Sequence, residues 1–97
     1  MRPMRLRVVD QARIDLAAVH AWLTQPGSGR RGRGRYVNIV KAMSDLRSAP
    51  LRWPIGDIPD IRERPVEGHR IYYRVDLEIR LIEILRIFSP YQERSTP

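Results

Sequence analysis

Hydrophobic and polar positions alternate most regularly between Ile61 and Gln92, IRERPVEGHRIYYRVDLEIRLIEILRIFSPYQ. Arginines there take turns with Ile, Val and Tyr, and tight-turn signals stand at Glu67-Gly68 and Asp76-Leu77-Glu78. The pattern predicts three consecutive antiparallel strands, roughly Arg62 to Val66, His69 to Val75 and Ile79 to Phe88. Period-two alternation puts Arg70, Tyr72 and Arg74 on one side of the middle strand, with Ile71, Tyr73 and Val75 on the other. Gly68 is expected to take a positive φ in the first turn. The last strand is apolar on both faces, with Leu81, Leu85 and Ile87 on one and Ile82, Ile84 and Phe88 on the other. A strand buried on both sides belongs inside a sheet, so the N-terminal strand, Met4 to Val9, is expected beside it.

Between these strands the period changes from two to that of a helix. Ile14, Leu16, Ala17, Ala18, Val19, Trp22 and Leu23 make a broad apolar stripe from Gln11 to Thr24, with Asp10 placed to cap it and Pro26-Gly27 to stop it. A second helical pattern runs from about Arg33 to Arg47, carrying Tyr36, Val37, Val40, Met43 and Leu46 on one face. Gly32 and Gly34 should delay its start, at about 1 kcal/mol each relative to alanine. Pro50, Pro54 and Pro59 forbid a regular element from Ser48 to Asp60, where Trp53 is expected to lid the edge of the core. The tail Glu93 to Pro97 is expected to fray. The whole is a single domain, 1–97, of α+β class: a strand, an antiparallel helix hairpin, then an antiparallel β-meander, forming a two-layer sandwich with one face of the sheet open.

Composition narrows the function. With 97 residues and 42% hydrophobic positions, the chain has enough apolar surface to fold alone. It has no cysteine, no run long enough to span a bilayer and no signal-peptide pattern, so a cytoplasmic protein without membrane contact is expected. The net charge is +7, and of eighteen Lys and Arg only Lys41 is lysine. An arginine-rich balance suits nucleic acid or an acidic protein partner.

Several apparent chemical signals fail on context. Gly27-Ser28-Gly29-Arg30-Arg31-Gly32 fits G-x-G-x-x-G, but it follows a helix and no βαβ unit surrounds it. The same tract, GSGRRGRGR, reads as a solvated interhelix linker in preference to an RNA-binding segment. His20 and His69 have no further ligand at metal spacing, and no Ser-His-Asp set is arranged for a triad, so neither metal nor cofactor is expected. Arg62, Arg64, Arg70, Arg74 and Arg86 remain as target- or phosphate-binding candidates, set against a plain role as solvated edge arginines.

Laid out in order, these segments resemble the ParE/RelE family of toxins from bacterial type II toxin–antitoxin systems, which includes plasmid stabilisation proteins. The resemblance rests on Ala12-Arg13-Ile14-Asp15-Leu16 and Trp22-Leu23, then Tyr36-Val37 with Val40 and Leu46-Arg47-Ser48-Ala49-Pro50. It is most specific at Arg62-Glu63, at Gly68-His69-Arg70-Ile71-Tyr72-Tyr73-Arg74-Val75, and at Ile84-Leu85-Arg86-Ile87-Phe88 followed by Gln92. It implies the fold derived above and a cognate antitoxin, acidic and of ribbon-helix-helix type, lying over the hairpin and sheet. Val19, Trp22, Tyr36 and Val40 would meet that antitoxin. Two mechanisms follow from the two branches. ParE-like members inhibit DNA gyrase by binding it. RelE-like members cut mRNA on the ribosome, which here would employ Arg70, Arg86 and Tyr91. Phe88-Ser89-Pro90-Tyr91 stands where many members carry a histidine, and serine is a poor general base, so the ParE branch and a non-enzymatic action are favoured. The glycine-arginine tract departs from both branches.

Overall fold

The computed structural model describes residues 3–90, and the expectations for Tyr91, Gln92 and the Glu93–Pro97 tail lie outside the described residues. Six elements follow one another: β1 (Arg5–Val8), α1 (Asp10–Leu23), α2 (Gly29–Asp45), β2 (Arg62–Val66), β3 (His69–Asp76) and β4 (Leu81–Phe88). The sheet order is β1-β4-β3-β2, with β1 parallel to β4 and the other neighbours antiparallel. The doubly apolar strand is therefore interior, and the first strand lies beside the last.

Three expectations at the element ends are corrected. Asp10 does not cap α1: Val9 holds that position, no side chain caps it, and Asp10 stands in the first turn. There its carboxylate meets the positive end of the helix dipole. Helix α2 starts at Gly29, ahead of the anticipated Arg33. Packing outweighs propensity here, because a Cβ on Gly32 would run into the Leu23 carbonyl oxygen, and only glycine lets α2 begin against the last turn of α1. Strand β4 starts at Leu81 and not at Ile79, because Asp76 Oδ1 accepts from the amides of Glu78 and Ile79 and holds residues 76–79 in a side-chain-closed turn.

The two helices cover one face of the sheet. Ala12, Val19 and Leu23 of α1 and Ile39, Ala42 and Met43 of α2 pack with Ile71, Tyr73, Ile82, Ile84 and Ile87. The faces of β4 are not those of strict alternation. Tyr72 is opposite Arg86 and Tyr73 is opposite Ile84, so Leu85 is an extra residue in a β-bulge. The bulge brings Ile87 onto the core side with Ile82 and Ile84, while Glu83, Arg86 and Phe88 take the other side. That corrects the grouping of Leu81, Leu85 and Ile87, and it accounts for a glutamate in an apolar strand. At the β2–β3 hairpin, Glu67 (φ 51) and Gly68 (φ 76) both adopt left-handed backbone, as a two-residue hairpin of this twist requires.

The proline-rich segment packs down through its carbonyls. Tyr73 Oη donates to Pro50 O at 2.8 Å, and Arg62 Nη1 donates to Trp53 O at 2.7 Å. Trp53 is half-buried against the core, with the Arg64 guanidinium 4.8 Å from its ring centre.

Candidate functional site

The face of the sheet opposite the helices carries Glu63 and Pro65 of β2, Arg70, Tyr72 and Arg74 of β3, and Glu83, Arg86 and Phe88 of β4, as the register requires. Arg70 and Arg86 thus lie on one side, as anticipated. In the middle, Tyr72 meets Phe88 edge-on at 4.9 Å, and the Arg86 guanidinium sits 4.6 Å above the Phe88 ring. Two half-exposed arginines flank this cluster, each held by a carboxylate from the adjoining strand. Arg70 Nη1 is 2.9 Å from Glu63 Oε1, and Arg74 Nη2 is 2.8 Å from Glu83 Oε1. Glu83 also pairs with Arg7 of β1 at 3.1 Å.

Arg86 is held from the edge. Strand β1 ends at Val8, opposite Ile84, so β4 has no strand neighbour on that side beyond this point. Asp15 of α1 fills the gap. Its Oδ2 accepts from Arg86 Nε at 2.8 Å and from the Ile87 amide at 2.9 Å, and its Oδ1 accepts from Arg86 Nη2 at 3.2 Å. The hydrogen bond to Asp15 raises the Arg86 pKa above its ordinary value. Four of the five arginines on this face (Arg7, Arg70, Arg74 and Arg86) therefore meet three carboxylates, Glu63, Glu83 and Asp15, while the fifth, Arg5, donates to Ile79 O. The surface is aromatic and arginine-lined, and most of its cations are held by carboxylates.

Arg62 and Arg64 do not join it. Alternation along β2 turns both toward the helix side with Val66. Arg64 Nη1 donates to Ala42 O at 2.8 Å, and burial lowers the Arg64 pKa. Both side chains tie down backbone carbonyls, a role readable from Val66, which shares their parity and needs cover. The missed residues are the counter-charges. Glu63 and Glu83 share the parity of the exposed arginines across each ladder and were legible. Asp15, a lone acid within an apolar helical stripe, was a signal of a buried partner.

Of the residues expected to meet an antitoxin, Val19 is in the core, while Trp22 and Val40 are exposed. Trp22 and Tyr36 line different grooves on either side of α1. The Trp22 groove, about 450 Å³, is walled by Ile14, Ala18 and Val19 and reaches Arg86 and His69. His69 is buried; its Nδ1 donates to Glu67 O at 2.8 Å, and its Nε2 has no partner among the described residues. Among the described residues no cluster of His, Cys, Asp or Glu could hold a metal ion, and no helix is long and apolar enough to cross a membrane.

The sequence matches the family model for the ParE toxin of type II toxin–antitoxin systems (parDE) over residues 6–92. The chain belongs to this ParE toxin family. Among curated proteins no significant match is found. Solved structures similar to this ParE-family chain include the chromosomal ParDE toxin–antitoxin system from P. aeruginosa, at 21% identity and TM-score 0.73, covering 89% of this chain and 95% of that one. The RelBE2 toxin–antitoxin complex from Mycobacterium tuberculosis is similar at 24% identity and TM-score 0.64, covering 90% and 98%. The intact E. coli RelBE complex follows at 17% identity and TM-score 0.63, covering 94% and 99%. At these identities the likeness is one of fold: the ParE-family toxin here has the α+β architecture of ParE and RelE toxins.

Proposed function

We propose that this toxin acts by protein–protein binding, with DNA gyrase as its target, and that a cognate acidic antitoxin holds it inactive in the bacterial cytoplasm. The observation that carries this reading is the pairing of the open-face arginines. A surface that binds and cleaves RNA needs uncompensated cations for phosphate and a group to move protons. On this face Arg70, Arg74 and Arg86 are each bound to a carboxylate, and the histidine nearest to them in the chain, His69, is turned to the other side. Such a patch, with Tyr72 and Phe88 at its centre and ion pairs around them, has the aromatic-and-arginine make-up of a protein interface. The antitoxin reading draws on the toxin–antitoxin complexes among the similar structures, on the exposed Ile14, Trp22 and Val40, and on a net charge of +7 that suits an acidic partner.

The runner-up is a RelE-like ribosome-dependent endonuclease, favoured by one observation: Arg70 and Arg86 flank Tyr72 and Phe88 on a single face, where RNA bases could stack. Purified toxin incubated with gyrase, ATP and plasmid should trap cleaved DNA, and Arg70→Ala or Arg74→Ala should reduce it at least tenfold. Codon-phased cuts on translating ribosomes, abolished by Tyr91→Phe, with no gyrase effect, would replace this proposal with the endonuclease.

A further inference from the structure

A run of positive charge lies on α2, away from the open face of the sheet. No Asp or Glu occurs between Asp15 and Asp45, and the helix Gly29–Asp45 carries Arg30, Arg31, Arg33, Arg35 and Lys41. At helical spacing Arg30, Arg33, Val37 and Lys41 share the face opposite the buried Gly32, Ile39 and Met43, with Arg31 beside them. All five are exposed, and the four cations make no hydrogen bond or ion pair among the described residues. Glu67, which lines one groove with Arg31, is already engaged by Arg35 at 3.5 Å and by Asn38 at 2.8 Å. On this ridge Gly34 has open space around it, so the helix backbone itself can approach a partner closely.

The arrangement works against the helix that bears it. Its first turn holds no acidic residue and its N-cap Ser28 makes no side-chain bond, so arginines face the positive end of the dipole without compensation. Locally unfavourable charge of this kind is expected where a partner supplies the opposite sign.

We propose that the exposed face of α2 is a docking surface for double-stranded DNA, gripped through its phosphates without regard to sequence. This goes beyond the gyrase and antitoxin readings and does not depend on either. Two arguments select the partner. A stable protein interface needs a desolvated apolar or aromatic centre, and this ridge offers only Val37, whereas a row of free cations displaces the counterions of a polyelectrolyte. The ridge is a bare helix about 16 Å long from Arg30 to Lys41, which the major groove of B-form DNA admits and the deep, narrow groove of A-form RNA does not.

The test is fluorescence anisotropy with the full chain and a labelled 20-base-pair duplex of arbitrary sequence, from 50 to 200 mM salt. Three or four phosphate contacts predict a slope of log K against log salt of about −3. The variant Arg30→Gln/Arg33→Gln/Lys41→Gln should flatten the slope by roughly 2 to 3 and weaken binding at least about tenfold. Its melting temperature should hold or rise, since it removes charge crowding on the helix, which keeps a binding loss separate from unfolding. A charge-matched control, Arg5→Gln/Arg13→Gln/Arg52→Gln, should lose less than about twofold. Absent binding, an unchanged slope in the ridge variant, or an equal loss in the control overturns the proposal. So does tighter binding of an A-form RNA duplex or displacement of the DNA by a poly-glutamate peptide at matched charge.

Discussion

Replacing Asp15 tests the link between the helix layer and the open face. Asp15 is 7% exposed, and its carboxylate accepts four hydrogen bonds: two from Arg86, one from the buried Ile87 amide and a longer one from Gln11 Nε2 at 3.3 Å. Asp15→Ala strands that amide, at about 1–3 kcal/mol for an unsatisfied buried group. The Arg86 side chain is 36% exposed, so its charge is largely recovered by water and adds no more than about 1 kcal/mol. The sum is roughly 1–4 kcal/mol, or about 4–30 °C in melting temperature for a domain of this size. Asp15→Asn keeps an oxygen for the amide and loses only the charge, so it should cost about 1 kcal/mol. Urea denaturation of Asp15→Ala, Arg86→Met and the double variant gives the coupling, expected above about 1 kcal/mol. A cost below about 0.5 kcal/mol for Asp15→Ala, or a coupling near zero, would refute the assignment of Asp15 as the group that closes the β4 edge.

Three further outcomes are expected. Gly34→Ala, in an exposed helical position with open space, should stabilise by about 0.5–1 kcal/mol, whereas Gly32→Ala should destabilise by about 1–3 kcal/mol through collision with the Leu23 carbonyl; thermal melts decide both. Burial raises the pKa of Tyr73 above its ordinary value, so its contribution is intact below about pH 10 and is lost as pH rises through the folded pKa. Tyr73→Phe should accordingly lower stability by about 1 kcal/mol at pH 8, by loss of the bond to Pro50, and show a shallower alkaline decline in melts from pH 9 to 11.5. Arg62→Ala removes the donor to Trp53 O and should raise amide hydrogen exchange across residues 51–53 several-fold, with β3 and β4 still protected.

How far the sequence could be read follows from which forces are local. The strand order was legible from the apolar run of β4, although its open face carries Glu83 and Arg86 beside Phe88, and the hairpin at Glu67-Gly68 because a two-residue turn there requires left-handed backbone. The bulge at Leu85 was not, since one inserted residue changes no composition but reverses every side chain beyond it. The α2 start was misjudged because Gly32 was weighed as a helix breaker, while its value lies in a tertiary contact with α1. At the site, the shared side of Arg70 and Arg74 came from alternation alone. That their charge is nearly cancelled needed the cross-strand register, and Asp15 reaches Arg86 across 71 positions that no local pattern spans.

The parallel pairing of β1 with β4 has a bearing on when this protein first becomes competent. Arg5 is matched to Leu81 and Val8 to Ile84, so the strand made first waits for residues near position 84 before any strand partner exists for its backbone. Its own helices offer it only the Arg13 side chain on the Val8 carbonyl, so its ladder bonds wait for β4. A chain halted before β4 would therefore lack both the partner of its first strand and the Arg86–Phe88 cluster of the open face.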